Sequence, residues 1–275
     1  MPTLVDPTSD VADRSASIGR VPTRQPHLKV EYALWRSGSR LVVGVDEVGT
    51  GALCAPVVAA AVLVRPHTRK IAGVRDSKTL STRQRERLVE QIKQRSLAWG
   101  IGAASVAEIE LLNVRNAAHL AMRRALRRLP PYDHVLVDGQ KITGMEELIG
   151  PYTPIVKGDA SSYAIACASV IAKVTRDRLL VHLAARYPGY GWEHNAGYAT
   201  RDHVAGLRQL GISPHHRRTY RRIRAILEGD QLALGLDVHP ELAVEDGFDE
   251  EDQVPAGDSG ATVPAGHSGA RVLAK

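Results

Sequence analysis

Apolar positions follow two different periods along this chain, and the alternation between them predicts its elements. Short runs rich in β-branched residues at 41–45 and 57–64 predict neighbouring strands, joined by a turn containing Gly49, Gly51 and Pro56. Ser81 followed by Arg85, Leu88, Val89 and Ile92 has the spacing of a capped amphipathic helix, and 97–103 predicts a third strand. Helical spacing (Leu112, Ala117, Leu120, Ala121, Ala125, Leu129) predicts one helix over 107–129, stopped by Pro130 and Pro131. Strands are predicted at 134–137 and 154–156. Ser161 or Ser162 caps a long helix to about Arg186, and Thr200 caps another ending at Gly211. Strands in succession, then strands alternating with helices, predict an α/β fold with a mixed β-sheet.

The ends of the chain lack this order. Residues 1–38 mix Pro, Ser, Thr, Asp and Arg without a sustained period and are expected to form a disordered arm, with order beginning near Arg40. Residues 39–228 make the one expected domain. Residues 229–275 hold an acidic run and two copies of a Val-Pro-Ala-Gly echo, starting at Val254 and Val263, which predict a disordered, linker-like tail.

Charge divides at the same boundary. The net charge is +6, but 229–275 carries 10 acids against 2 bases, so 1–228 holds 34 Lys and Arg against 20 Asp and Glu. A basic body suits a polyanion, since clustered Lys and Arg neutralise phosphates and release counterions. Cys54 and Cys167 each sit among small apolar residues. That context predicts buried free thiols and a reducing, cytoplasmic setting. The start of the chain lacks a secretory pattern, and the run 53–64 is too short to span a bilayer, so no membrane partner is expected.

Four acids fall where predicted strands end: Asp46, Glu47, Asp138 and Asp159. If those ends converge, the carboxylates repel and need cations or protons between them. Mg²⁺ or Mn²⁺, as one or two ions, is the natural partner of such an oxygen set, and two can serve a phosphodiester displacement. Position alone leaves a metal site and a set of solvated turn acids both open.

Seven blocks then resemble the ribonuclease HII family in their order. They are Gly44 to Gly51 (Gly-Val-Asp-Glu-Val-Gly-Thr-Gly), Pro56 to Val62, Asp76-Ser77-Lys78, Leu136 to Gly139, Lys157-Gly158-Asp159, Ala168 to Asp177, and Gly197 to His203. The resemblance spans about 40–212. It implies a ribonuclease H-like mixed sheet flanked by helices, with a helical C-terminal extension. It implies Asp46, Glu47, Asp138 and Asp159 as metal-binding catalytic acids. It also implies an endonuclease acting on RNA/DNA hybrids or on ribonucleotides embedded in duplex DNA, cutting 5′ of the ribonucleotide to leave 3′-hydroxyl and 5′-phosphate ends.

Tyr198 matches the family's junction tyrosine, expected to stack on the sugar beside the scissile phosphate. Ser77, Lys78, Ser169 and Lys173 suit phosphate oxygens, and the turn Gly49-Thr50-Gly51 suits a ribose 2′-hydroxyl because absent side chains allow close backbone approach. Asp177 is expected in a structural ion pair. The family usually carries Gly-Arg-Gly where this chain has Gly-Thr-Gly, a form resembling ribonuclease HIII. Thr50 therefore raises a second substrate reading, a preference for continuous hybrids. A third, from another class, is an inactive nucleic-acid-binding protein, against which the presence of all four acids counts. A fourth is a transposase-like nuclease sharing only the fold, which would leave Asp76-Ser77-Lys78 and Gly197 to Thr200 unexplained. A monomer is expected.

Overall fold

The structure, a computed structural model, describes residues 25–228. Helix α1 (Lys29–Arg36) precedes strand β1 (Val42–Val48), β2 (Val57–Val64), helix α2 (Thr82–Arg95) and β3 (Ala98–Ala104). Helices α3 (Val106–Leu112) and α4 (Val114–Leu126) lead to β4 (His134–Asp138), α5 (Met145–Ile149) and β5 (Tyr152–Ile155). The long helix α6 (Tyr163–Arg186) follows, then α7 (Trp192–Asn195), α8 (Arg201–Leu210) and α9 (Arg221–Glu228). The strands form one sheet in the order β3-β2-β1-β4-β5. β1, β2 and β3 pair antiparallel, whereas β4 runs parallel to β1 and β5 parallel to β4. This is the mixed sheet that the pattern predicts.

Each strand sends alternate side chains to opposite faces. Val43, Val45, Ala59, Ala61, Val135 and Val137 face one apolar layer, which holds α4 and, further on, Trp192, Leu207 and Ile223. Val42, Ala60, Val62 and Leu136 face the other, against α6 and the apolar side of α2. β2 is buried at every residue, so a run with no polar member is the expected sequence for it. On the second face α6 lies directly on β1: a Cβ added to Gly44 would stand 2.1 Å from the carbonyl carbon of Ala164.

Boundaries agree closely where a cap marks them. Ser81 accepts from the Gln84 amide in a full capping box, Ser162 caps α6 through Ile165, and Thr200 caps α8 through His203. Two expectations need correction. The single helix over 107–129 is two, because Asn113 takes φ 64° and caps α4 through the Asn116 amide. Apolar spacing carries across this break, and Asn tolerates a left-handed φ better than most residues.

The second correction is that order starts before Arg40: α1 occupies part of the stretch read as an arm. Leu28 is buried, Val30 and Leu34 pack on the second core layer, and the buried Glu31 carboxylate accepts from the Ser162 hydroxyl at 2.7 Å and the Ala164 amide at 3.0 Å. Its partners lie over 130 residues away, which is why local pattern could not reveal it. The expectations for residues 1–24 and 229–275 lie outside the described residues. Cys54 and Cys167 are free and buried, and no described helix is long and apolar enough to cross a membrane.

The Gly44 contact gives a direct check. Gly44→Ala should force β1 and α6 apart at a cost of about 1–3 kcal/mol, read as a lower Tm in thermal unfolding. An unchanged Tm would contradict the close approach.

Candidate active site

Parallel pairing of β1 with β4 builds the site. Val45 lies opposite Val137, so the next residues on each strand, Asp46 and Asp138, emerge side by side. Asp46 and Glu47 pair across β2 with Ala60 and Ala59, whose small side chains leave room. β5 extends the parallel array and delivers Asp159 in a 3₁₀ turn (Gly158–Ala160). The Gly158 amide of that turn donates to Asp138 Oδ1 at 2.7 Å, tying the Asp138 side chain to the turn that carries Asp159.

Alternation along β1 turns Asp46 towards α6. There the Ser169 hydroxyl hydrogen-bonds it, and Ser169 in turn shares a 2.9 Å hydrogen bond with Ser77. Both serines are buried, so they support the carboxylate from below and do not face solvent. Lys173, one turn after Ser169, pairs with Asp177 at 2.9 Å, and Asp177 also meets Arg85 at 3.4 Å. Asp177 is thus in an ion pair, as expected, with Lys173 and Arg85 as its partners. The Lys173 ammonium lies 5.8 Å from the Tyr198 ring centre.

The acids raise one another's pKa values. Burial first, then the charges of Glu47 and Asp138, push Asp46 well above the usual carboxylate range, with the Ser169 hydrogen bond opposing. Burial and then Asp138 raise Glu47 to about 7. Asp159 rises to about 6 through burial, then Asp76 and Asp138. Asp138 is raised by burial, against the pull of the Gly158 and Gly139 amides and of Lys78. Glu47 Oε2 is buried with no hydrogen-bond partner. A cluster that repels itself and aims an orphaned oxygen inward suits divalent cations. Among the described residues no three such side chains close on one point as a finished cage.

Beyond β1, Gly49 (φ 93°), Thr50 and Gly51 turn the chain over the buried Arg176 guanidinium, which a Cβ on Gly49 would strike at 2.2 Å. Arg176 donates to the carbonyls of Pro56, Ala196 and Cys54 at 2.7–3.1 Å. Arg217, also fully buried, donates to the Thr50 and Ala55 carbonyls. Tyr198 lies across from Gly51, and its carbonyl is held by His203 Nδ1 at 2.9 Å.

The proton placement in that region follows from its donors. Trp192 Nε1 can only donate, so His203 Nε2 accepts and the ring proton sits on Nδ1. His216 Nδ1 accepts from the Ser213 amide, which leaves its Nε2–H pointing to His203 Nε2. Burial and the neighbouring His203 hold His216 down to about 3, so this chain of rings is neutral.

The structure therefore brings Asp46, Glu47, Asp138, Asp159, Ser77, Lys78, Ser169, Lys173, Tyr198 and the 49–51 turn to the end of the sheet where β1 and β4 finish. Sequence reasoning missed Asp76, whose charge acts on Asp138 and Asp159, and the supporting roles of Arg176, Arg217 and His203. A signal existed for Arg176: an arginine on the face of α6 that is otherwise apolar.

Comparison with known proteins bears on family and fold. The sequence profile of the family described as Ribonuclease HII matches residues 43–224. The ribonuclease HII of Thermosynechococcus vestitus is 52% identical over 192 residues, 69% of this chain and 88% of that one. That of Synechococcus sp. (strain JA-3-3Ab) is 49% identical over 208 residues, 75% and 93% of the two chains. Among solved structures, ribonuclease H2 from Pyrococcus horikoshii OT3 superposes with a TM-score of 0.59 at 27% identity, covering 69% of this chain and 98% of that one. Bst-RNase HIII, solved in complex with Mn²⁺, shares the fold at 20% identity and a TM-score of 0.58, with 73% of each chain covered.

The raised carboxyls have a consequence for stability. A carboxyl with a raised folded pKa contributes fully below its unfolded value and loses that contribution as pH rises through the folded one, here from about 4.5 to about 7 for Glu47. Metal-free protein should therefore weaken across this window. Asp46→Asn should raise its Tm at pH 8 in chelator by roughly 2–4 °C, with the gap closing near pH 4. An equal or lower Tm for the variant at pH 8 would contradict the repulsion.

Proposed function

This chain belongs to the ribonuclease HII family, the type 2 ribonucleases H, and we propose that it cuts ribonucleotide-containing duplexes 5′ of the ribonucleotide with Asp46, Glu47, Asp138 and Asp159 as the metal-binding catalytic acids. The observation that carries this reading is the β1–β4 register, which sets Asp46 beside Asp138 with the unpartnered Glu47 oxygen next to them. These four carboxylates would hold one or two Mg²⁺ or Mn²⁺ ions. When bound, such ions supply a water of lowered pKa and stabilise charge on the leaving oxygen.

The chain's own groups do the rest. Ser169 and the Glu47 amide, which donates to Asp46 Oδ1 at 2.8 Å, fix the orientation of the Asp46 carboxylate. The Gly158 amide does the same for Asp138. Water adds to phosphorus and the bond from phosphorus to O3′ breaks, so the ends are a 3′-hydroxyl and a 5′-phosphate. Lys78 and Lys173 supply positive charge along the phosphate path, with Ser77 and Ser169 holding the carboxylate floor. Tyr198 stacks on the sugar at the junction, its ring set by the His203 contact to its carbonyl. The turn Gly49-Thr50-Gly51 reads the 2′-hydroxyl through backbone groups, since that hydroxyl is what separates RNA from DNA. Action as a monomer in the cytoplasm completes the reading, and the two buried free thiols suit a reducing compartment.

Thr50 favours a second substrate reading, continuous hybrids, because no guanidinium stands at this position to hold the adjacent phosphate. A duplex with one ribonucleotide and one with a four-ribonucleotide tract, each incubated with Mg²⁺ or Mn²⁺ and mapped for the cut position, separates the two. Cutting 5′ of the lone ribonucleotide is expected, and cutting of the tract alone would select the second reading. Asp46→Asn and Asp138→Asn should each lower the cutting rate by on the order of 10³-fold or more while duplex affinity stays within a few fold. Full activity in either variant would overturn the assignment of the acids.

A further inference from the structure

Arg217 and Tyr220 lie outside the seven sequence blocks quoted above, yet both reach the turn at the end of β1. Arg217 Nη1 donates to the Thr50 carbonyl at 2.9 Å, and the Tyr220 hydroxyl donates to the same oxygen at 2.6 Å. The pair is itself joined, Arg217 Nη1 donating to Tyr220 Oη at 2.8 Å. Arg217 also holds the Ala55 carbonyl through Nε at 3.0 Å and Nη2 at 2.8 Å. Backbone bonds zip the two segments together: Arg217 N–H to the Leu53 carbonyl and Ala55 N–H to the His215 carbonyl.

The consequence follows from peptide geometry. In a planar trans peptide the carbonyl and the N–H of one unit point in opposite directions. With the Thr50 oxygen pinned inward by two donors, the Gly51 N–H of that unit is turned outward. It donates to none of the described hydrogen bonds. Gly51 is exposed, and on the side a Cβ would occupy its one neighbour within 4 Å is Tyr198 Cε1, at 4.0 Å. A donor without an acceptor among the described residues, on an exposed residue beside the ring expected at the sugar, is placed to meet an acceptor on that sugar.

We propose that Arg217 and Tyr220 are positioning residues for sugar selectivity, aiming the Gly51 amide at the ribose 2′-oxygen by holding the Thr50 carbonyl from behind. This rests on the substrate reading above. Recognition through backbone then needs no particular side chain at position 50, so a threonine there is compatible with it. The C-terminal segment, and not the turn's own sequence, sets the orientation of the reading amide.

The test is binding selectivity in full-length protein carrying Asp46→Asn, so that substrate survives. Affinity is measured for a duplex with one ribonucleotide and for the same duplex in all-DNA form. Tyr220→Phe removes one of the two donors to the Thr50 carbonyl, together with the acceptor of an Arg217 bond, and should lower the ratio of the two affinities roughly threefold to tenfold. Arg217→Lys keeps the charge without the fork and should lower it further, about tenfold or more. Affinity for the all-DNA duplex should stay unchanged in both. A ratio preserved in both variants overturns the proposal, as does an equal loss of both affinities, which a purely structural role would give. A parent protein that shows no preference for the ribonucleotide overturns the substrate reading and this one with it.

Discussion

Like charges at the ends of adjacent strands are the constraint around which this molecule is arranged. Asp46 and Asp138 are forced together by the parallel register of β1 and β4, and Glu47 and Asp159 complete a group whose members raise one another's pKa. Such a cluster costs folding free energy wherever cations are absent. The sheet and α6 absorb that cost: the central strands are buried on both faces, and α6 rests on β1 with only a glycine between the backbones. A site built on two adjacent interior strands of a five-stranded sheet cannot relax by moving its carboxylates apart without breaking the ladder.

Around this centre, neutral and positive groups fix orientation at short range. Ser77 and Ser169 form the floor under Asp46, and the Gly158 amide holds Asp138. From the N-terminal side, Glu31 of α1 caps the start of α6 and fastens the segment just after Asp159. On the far side, Arg176 and Arg217 bury their guanidiniums among carbonyl oxygens of residues 50–56 and Ala196. A buried charge without partners would be costly, and these are met by converging acceptors. The result is a rigid loop with its carbonyls inward. The neutral His203–His216 pair does comparable work for Tyr198, since protonating either ring would place a proton against a neighbouring donor.

Much of this was legible from local pattern. The strands and the capped helices were readable because period and caps act within a few residues: Ser81 with Gln84, Ser162 with Ile165, Thr200 with His203. The four acids were legible as strand-end residues, and their order among the seven blocks identified the family. The break at Asn113 was not, because a single left-handed residue leaves the apolar spacing on either side intact. Nor was α1, whose burial depends on Ser162 and Ala164.

By itself the sequence determined the kind of elements, their order, the family, and which acids stand at strand ends, because these follow from neighbours along the chain. Only the tertiary structure decided that Asp46 abuts Asp138, that Ser77 and Ser169 face inward, and that residues from both ends of the domain brace the site. Strand register and burial of a charged side chain are settled by partners 90 to 170 positions away, and no local period carries that information.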